Sequence, residues 1–308
     1  MTGPSTVDDR QEAPRLSVVI VNWNAGQALV ACLDSLRRNP PSVPWEAIVV
    51  DNASSDDSVA AVRREAPWAR IIENDRNRGL APANNQGLAA STGNLILISN
   101  PDVIYQAGAV DALIAAMDRH DRAAFVVPRL LLADGSLQTA AGDLPTVGEA
   151  LLGRQAQRRS EGARGFWWDG WAHDEERTIG HGAEASYLVR RTAVDDIGPQ
   201  DEAFPLDWEG VDWSARAWDK AWEVWFCPEA AVVHECGVSI RQASRRWIVR
   251  SHQGMYRYFA KRRPPVLHPV LAAAVTARAV AKLALTGLGL ARYERSHEWV
   301  RSPASPLR

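Results

Sequence analysis

The sequence predicts an α/β fold: a mostly parallel sheet with helices on both faces, followed by a basic, amphipathic helical extension. Two observations carry the first part. Short β-branched apolar runs alternate with amphipathic segments through residues 16–102. Those runs end in Asn and Asp, as strands do where a parallel sheet presents its carboxyl edge to a ligand. One observation carries the second: eight Lys/Arg with no acid over 241–263, then a long apolar stretch.

The elements follow in order. "LSVVIVNW" (16–23) is a buried strand by its unbroken β-branched run. Residues 26–38 place Leu29, Cys32, Leu33 and Leu36 on one helical face. "WEAIVVDNAS" (45–54) is a second strand, and 55–67 a helix that opens with capping-type residues and stops at Pro67. Residues 69–74 form a third strand, 80–91 a helix, and "GNLILISNPD" (93–102) a fourth strand. A further helix over 107–119 precedes a strand pair turning at Asp134-Gly135. Periodicity is lost over 141–180, where "RGFWWDGW" (164–171) is either a binding loop or a locally packed one. Residues 184–191 read as a strand, 211–221 as a helix and 223–237 as extended chain.

The 308 residues allow one large α/β domain over 15–240, preceded by a polar, acidic leader (1–14) expected to be disordered and followed by the extension over 241–308. The leader has no apolar stretch and is no signal peptide. Hydrophobic residues make up 46% and charged residues 23%, which fits a soluble globular protein. A net charge of -2 argues against a dedicated nucleic-acid binder. Cys32, Cys227 and Cys236 form no CxxC, so they supply neither a disulfide framework nor a zinc site and fit a reducing compartment. Within 264–291 the longest runs free of Lys, Arg and His are 269–277 and 283–291, short of the about 20 residues a bilayer span needs. Arg278 and Lys282 share a helical face. The segment therefore reads as an interfacial amphipathic helix on an anionic membrane surface, or as a helix that packs on the domain or a partner.

Asp51 ends the second strand, where its carboxylate suits a nucleobase N–H or a ribose hydroxyl, or else an Asx-turn. Asp102 ends "SNPD", where a carboxylate can hold a divalent ion bridging two phosphates, a weak signal on its own. No GxGxxG and no GxxxxGK[ST] is present, against a dinucleotide fold and a Walker loop. A nucleotidyltransferase would also bring a Gly-rich phosphate loop and a lysine near the first strand; neither occurs. "DWEGVDW" (207–213) concentrates three acids. Asp207 has an alternative as an N-cap, and Asp212 as an i,i+4 partner of Arg216 worth about 0.3–0.5 kcal/mol. Glu209 has the weakest structural excuse.

"VVIVNWN", "VVDNASSDDS", "NRGLAPANNQGL", "LISNPDV", "SYLVRR", "DEAFPLDWEGVDWSARA" and "WEVWFCPEAAVVHECGVS", in that order, resemble the GT-A-fold family 2 glycosyltransferases, particularly the bacterial rhamnosyltransferase-like branch. The resemblance runs from about residue 16 to about 240. It implies that Asp51 contacts the base with Asn22 and Asn24 beside it, and that Asn77, Arg78 and Asn84 line the donor site. Asp102 matches the last acid of the family's D-x-D, Asn100 stands in place of the first, and His234 matches a residue that completes the metal site. The metal expected is Mn2+ or Mg2+, and ligating atoms of Asp102 and His234 should lie within roughly 5 Å of each other. The family's acid–Asp–x–acid, whose Asp is the general base, falls here on Glu209–Gly210–Val211–Asp212. The base position is a glycine. Glu209, one methylene longer than Asp, is the favoured replacement, with Asp212 behind it and Asp207 third.

The resemblance thus implies an inverting glycosyltransferase that moves a sugar from a nucleotide-diphosphate donor to a glycan or polyprenyl-linked acceptor in cell-envelope synthesis. It would sit in the cytoplasm at the inner face of the plasma membrane. Deoxythymidine-diphosphate rhamnose is the first donor expected, UDP-sugars next. Gly210 is the best support for the rival reading, a sugar-nucleotide or glycan-binding protein that has lost its base.

Overall fold

The computed structural model describes residues 13–152, 165–168, 170–235 and 244–287, with the backbone of 291–293 and 299–301. Most of the expected leader, the boundary near 240, Cys236 and part of the aromatic loop lie outside the described residues.

The first half alternates as its periodicity requires: β1 (Leu16–Asn22), α1 (Gln27–Arg38), β2 (Trp45–Asp51), α2 (Ser58–Glu65), β3 (Arg70–Glu73), α3 (Leu80–Ala90) and β4 (Leu95–Ser99). Then come β5 (Val103–Tyr105), α4 (Ala109–Arg119), β6 (Ala123–Leu131), β7 (Leu137–Gln138), β8 (Ala141–Gly142) and α5 (Val147–Leu152). After the undescribed stretch follow β9 (Arg177–Thr178), β10 (His181–Gly182), β11 (Ser186–Arg190), α6 (Arg191–Ile197), α7 (Glu209–Asp219) and β12 (Glu223–His234). The chain ends in α8 (Ser244–Lys261), α9 (His268–Gly287) and a small hairpin, β13 (Ala291–Tyr293) with β14 (Trp299–Arg301).

The main sheet has the order β3-β2-β1-β4-β11-β6-β12-β5. Its first four strands are parallel. Beyond β4 it is mixed: β11 runs antiparallel to both neighbours, and β12 is parallel to β6 but antiparallel to β5. β11 lies far along the chain from β6, so no short βαβ crossover fixes its direction. Its reversal matters for the site. Ser186, the first residue of β11, lies opposite Ser99, the last of β4, so whatever precedes Ser186 sits at the carboxyl edge of the sheet.

The core between sheet and helices is built from the runs read in the sequence, with Val18, Val19, Ile20, Leu29, Leu33, Leu36, Ile96 and Leu97 all buried. A second core joins α7 to the C-terminal helices. Phe204, Trp208, Val211 and Ala215 pack there with Met255, Tyr258, Phe259, Leu271 and Val275. Residues of the expected extension therefore share apolar packing with the helix that carries the acid cluster.

The aromatic loop is packed. Phe166 stacks on Trp208 at 5.3 Å, and the buried Trp168 donates its indole N–H to Asp143 at 3.0 Å. Trp171 lies edge-on to Phe226.

Candidate active site

Three groups of residues gather at the carboxyl edge of β1, β2 and β4.

The first is a cradle around Asp51. Because β1 and β2 are in parallel register with Asn22 opposite Asp51, both side chains emerge at one edge. Asn22 donates from Nδ2 to Asp51 Oδ1 at 2.7 Å. Ser54 donates from its backbone N–H to Oδ2 at 2.9 Å and from its hydroxyl to Oδ1 at 2.6 Å. Asn24, with φ of 52°, accepts the Ser55 N–H at 2.7 Å. A charged acceptor held by three donors is fixed in one rotamer, and its carboxylate oxygens retain capacity for a further donor. The buried Oδ1 atoms of Asn22 and of Asn84 have no hydrogen-bond partner among the described residues. Asn84 donates from Nδ2 to Gln200, and Asn77 caps the turn at Gly79 by accepting its N–H at 2.9 Å. Arg78 is exposed beside Asp75.

The second group is Asp102 with His234. β5 follows "SNPD" directly and pairs antiparallel with the end of β12, so His234 lies opposite Val103 and the Glu235 N–H donates to the Asp102 carbonyl. That zipper brings residues far apart in sequence together: His234 Nε2 is 3.4 Å from Asp102 Oδ1, and both side chains are buried. His234 Nδ1 lies 3.1 Å from Gln138 Oε1 on β7. Gln138 therefore holds the ring at Nδ1 and leaves Nε2 as the atom turned toward Asp102. Asp102 Oδ1 and His234 Nε2 are thus two potential ligand atoms side by side at one point of the sheet edge. Asn100, the other expected donor-site residue, gives its backbone N–H to the Ala185 carbonyl at 2.9 Å. The start of β11 is thereby tied to the segment that carries Asp102.

The third group surrounds the start of α7. Asp207 and Trp208 both have positive φ, 53° and 66°, two successive left-handed residues that are not glycine. Backbone of this kind is held only where the surroundings over-determine it. Trp208, not Asp207, is the N-terminal flanking residue of α7 and makes no side-chain cap, so Asp207 is not the N-cap its position in the sequence allowed. Its carboxyl is pushed up to about 6 by burial, against the opposing effects of Ser251 on α8 and Lys282 on α9.

Asp212, expected as the second candidate base, is fully buried and bound by three cations. Arg216 Nε lies at 3.0 Å, Lys261 Nζ at 2.9 Å and Arg262 Nη1 at 2.9 Å. It does take Arg216 as its i,i+4 partner, but as part of a network that locks α7 to α8. With three cations on its two oxygens, the carboxylate is committed to that network. Glu209, expected as the first, is 1% exposed, and its Oε2 has no partner among the described residues. Burial first, then the charges of Glu184 and Asp207, drive its pKa well above the ordinary carboxylate range.

Sequence reading missed Glu184. It lies two residues before β11, half-buried, and its Oε1 accepts the Gly210 backbone N–H. A Cβ built on Gly210 would come closer than 3.0 Å to Glu184 Oε1 and to the Tyr187 hydroxyl. The glycine is there because those two side chains already occupy the space. The only signal in the sequence was an acid at the head of an otherwise apolar strand, and nothing in one dimension pairs it with a glycine on α7.

The sequence profile described as Glycosyl transferase family 2 matches residues 17–170. The chain is 26% identical over 262 residues to the Mycobacterium tuberculosis protein named N-acetylglucosaminyl-diphospho-decaprenol L-rhamnosyltransferase, spanning 80% of this chain and 84% of that one. A PGL/p-HBAD biosynthesis glycosyltransferase of Mycobacterium bovis is 30% identical over 113 residues, covering 35% of this chain and 44% of that one. Among solved structures, the fold is similar to a mannosyltransferase from Pyrobaculum calidifontis, captured with GDP-Man and Mn2+. Its TM-score is 0.54 at 19% identity, over 90% of this chain and 76% of that one. TarS of S. aureus gives a TM-score of 0.52 at 14% identity, over 90% and 74%. The fold is thus that of the GT-A enzymes, and the chain belongs to glycosyl transferase family 2 and is a glycosyltransferase.

Proposed function

We propose that the enzyme transfers a sugar, with L-rhamnose the first candidate, from a nucleotide-diphosphate donor to a polyprenyl-linked or other glycan acceptor in cell-envelope synthesis, with inversion at the anomeric carbon. The relatives named for rhamnosyl transfer to a decaprenol-linked acceptor and for glycolipid assembly support this choice of substrates. One observation carries the reading: a carboxylate and an imidazole nitrogen, 3.4 Å apart at the carboxyl edge of the sheet, beside the Asp51 cradle.

Asp102 Oδ1 and His234 Nε2 fit a divalent ion, Mn2+ or Mg2+. They are a hard oxygen and a borderline nitrogen, their spacing suits two ligands of about 2.0–2.2 Å to one ion, and Gln138 orients the ring from behind. When bound, the ion neutralises the diphosphate as it leaves. Asp51 would accept from the base or ribose, and the orphaned Asn22 and Asn84 oxygens would accept from donor N–H or hydroxyl groups. Asn24, Asn77, Arg78 and Asn100 would line the same crevice.

The acceptor side would face the C-terminal helices. The enzyme would rest on the inner face of the plasma membrane through the apolar outer face of α9 and the exposed Arg245, Arg246 and Arg250 of α8. Binding of UDP, deoxythymidine diphosphate and GDP sugars, with and without Mn2+, tests the donor and the metal together by thermal shift. The expected result is a metal-dependent shift with one nucleotide class that Asp102→Ala and His234→Ala abolish. Absence of any nucleotide shift in the wild-type protein counts against the reading.

A further inference from the structure

We propose that Glu184 is the catalytic base: its carboxylate, entering from the head of β11, occupies the volume of the side chain that Gly210 lacks and takes the proton from the acceptor hydroxyl. This rests on the glycosyl-transfer reading above.

The placement comes first. Glu184 stands at the carboxyl edge of β4 because β11 runs antiparallel to it, and the Asn100–Ala185 hydrogen bond holds it to the segment bearing Asp102. Gly210 in α7 points at the same spot, with its N–H on Glu184 Oε1 and no room for a Cβ. A carboxylate delivered from the strand thus fills the place a side chain on the helix would take.

The neighbours leave it the role. Asp212 is neutralised by three cations. Glu209 is sealed from any acceptor. Asp207 is engaged by Ser251 and Lys282 on the C-terminal helices. Glu184 keeps partial exposure. Beside Glu184, the buried Tyr187 hydroxyl, set against the Gly210 position, also lacks a partner among the described residues. Buried orphans of this kind mark where a polar ligand is missing, and an acceptor hydroxyl supplies both donor and acceptor.

The environment suits the task. Burial, then the negative charge of Asp207, pushes the Glu184 carboxyl up to about 8, while the N–H groups of Gly210 and Val211 at the start of α7 stabilise its anion. A base of that strength matches work near neutral pH. In the step, the acceptor O–H gives its proton to Glu184. Its oxygen forms the new bond to the anomeric carbon, and the bond from that carbon to the diphosphate oxygen breaks with its electron pair going to the leaving nucleoside diphosphate.

The experiment compares wild type, Glu184→Gln, Glu209→Gln and the triple variant E184A/Y187F/G210D. Transfer from labelled nucleotide sugars to bacterial membrane lipid is followed, with Kd for UDP, deoxythymidine diphosphate and GDP in Mn2+ as the control for folding and the donor site. Glu184→Gln should lower kcat about 10²–10⁴-fold with those Kd values within about twofold of wild type. Glu209→Gln should lose much less. The triple variant, which clears the space and returns a carboxylate to position 210, should recover at least about tenfold over Glu184→Gln. If Glu184→Gln transfers within about threefold of wild type, or Glu209→Gln is the dead variant, the base is not Glu184 and glycosyl transfer still stands. If wild type itself labels no lipid, the transfer reading and this inference both fall.

Discussion

Asp212 and His234 differ in why they are buried, and the difference predicts opposite mutant behaviour. Asp212 has no exposure, but Arg216, Lys261 and Arg262 each keep partial contact with water. In Asp212→Asn the three cations lose their anion and relax outward, so we expect a stability loss of about 2–4 kcal/mol by denaturant unfolding, toward the lower end of what breaking a fully buried pair costs. Nucleotide binding should survive. His234→Ala should unfold near the wild-type midpoint yet lose its Mn2+-dependent nucleotide affinity by about tenfold or more, measured by calorimetry. At this scale residue type at a strand end singled out Asp51 and Asp102, while His234 entered through the family resemblance; the structure sets His234 beside Asp102. The full ion-pair network of Asp212 was not legible because Lys261 and Arg262 lie about fifty residues on. Glu184 was missed because its meaning depends on a glycine it touches only in three dimensions.

The helix α7 sets two local rules against each other at Gly210. Alanine in a helix is favoured over glycine by about 1 kcal/mol. Here, however, a Cβ meets Glu184 and Tyr187 in a buried site, and overpacking costs about 1–3 kcal/mol. The clash should win, because Tyr187 is held in the core beside Phe125. We expect Gly210→Ala to lower stability by about 1–2 kcal/mol and the double variant E184A/G210A to recover most of it, a coupling that a thermodynamic cycle reads directly. Periodicity disclosed β1 through β4 and their helices because each run is long enough to repeat. It did not disclose β5, three residues long, or α6, seven residues long. Nor does any pattern within β11 specify its reversed direction, which is settled by its neighbours in the sheet.

For the whole molecule, pH and the membrane surface act through the same junction. Glu184 titrates at about 8 instead of 4.5, faced by Asp207, by Glu209 on α7 and by Tyr187 on β11, with Lys282 of α9 behind Asp207. A carboxyl with a raised folded pKa binds its proton more tightly in the folded state, so ionisation opposes folding. Its penalty is absent below about 4.5, grows as pH rises and is complete above about 8. His181 and His252, both held down to about 4 by burial, titrate in the opposite sense over part of this range, so the wild-type profile alone is not diagnostic. The difference between Glu184→Gln and wild type cancels them. The variant's relative melting temperature should climb from pH 5 to pH 8 and then level off.

The C-terminal helix makes the last case. Residues 265–287 are long and apolar enough to cross a membrane by length and composition. Yet α9 has two faces. Leu271 and Val275 are buried against α8, Arg278 donates to the Leu151 carbonyl, and Lys282 lies near Asp207. Away from those contacts the helix and the turn before it expose Val266 at 80%, Val270 at 70% and Val280. Spanning would strip the first face from the protein and place Arg278 and Lys282 in lipid, at about 2.5–3.5 kcal/mol each near the bilayer centre. Lying flat keeps both faces satisfied, one on protein and one on acyl chains. The basic segment 241–263 contributes less than its eight cations suggest, because Arg257, Lys261 and Arg262 are spent on Asp201 and Asp212. Deleting 264–308 would expose Met255 and Phe259, so it is a poor test. V266D/V270D leaves that packing intact. We expect it to cut co-sedimentation with phosphatidylglycerol vesicles about tenfold or more while Tm stays within about 2 °C of wild type. Raising salt to 0.5 M should weaken wild-type binding only partly, since screening reaches Arg245, Arg246 and Arg250 but not the apolar face. Binding that V266D/V270D leaves untouched, or that salt removes entirely, would mean the apolar side of α9 meets another protein rather than lipid.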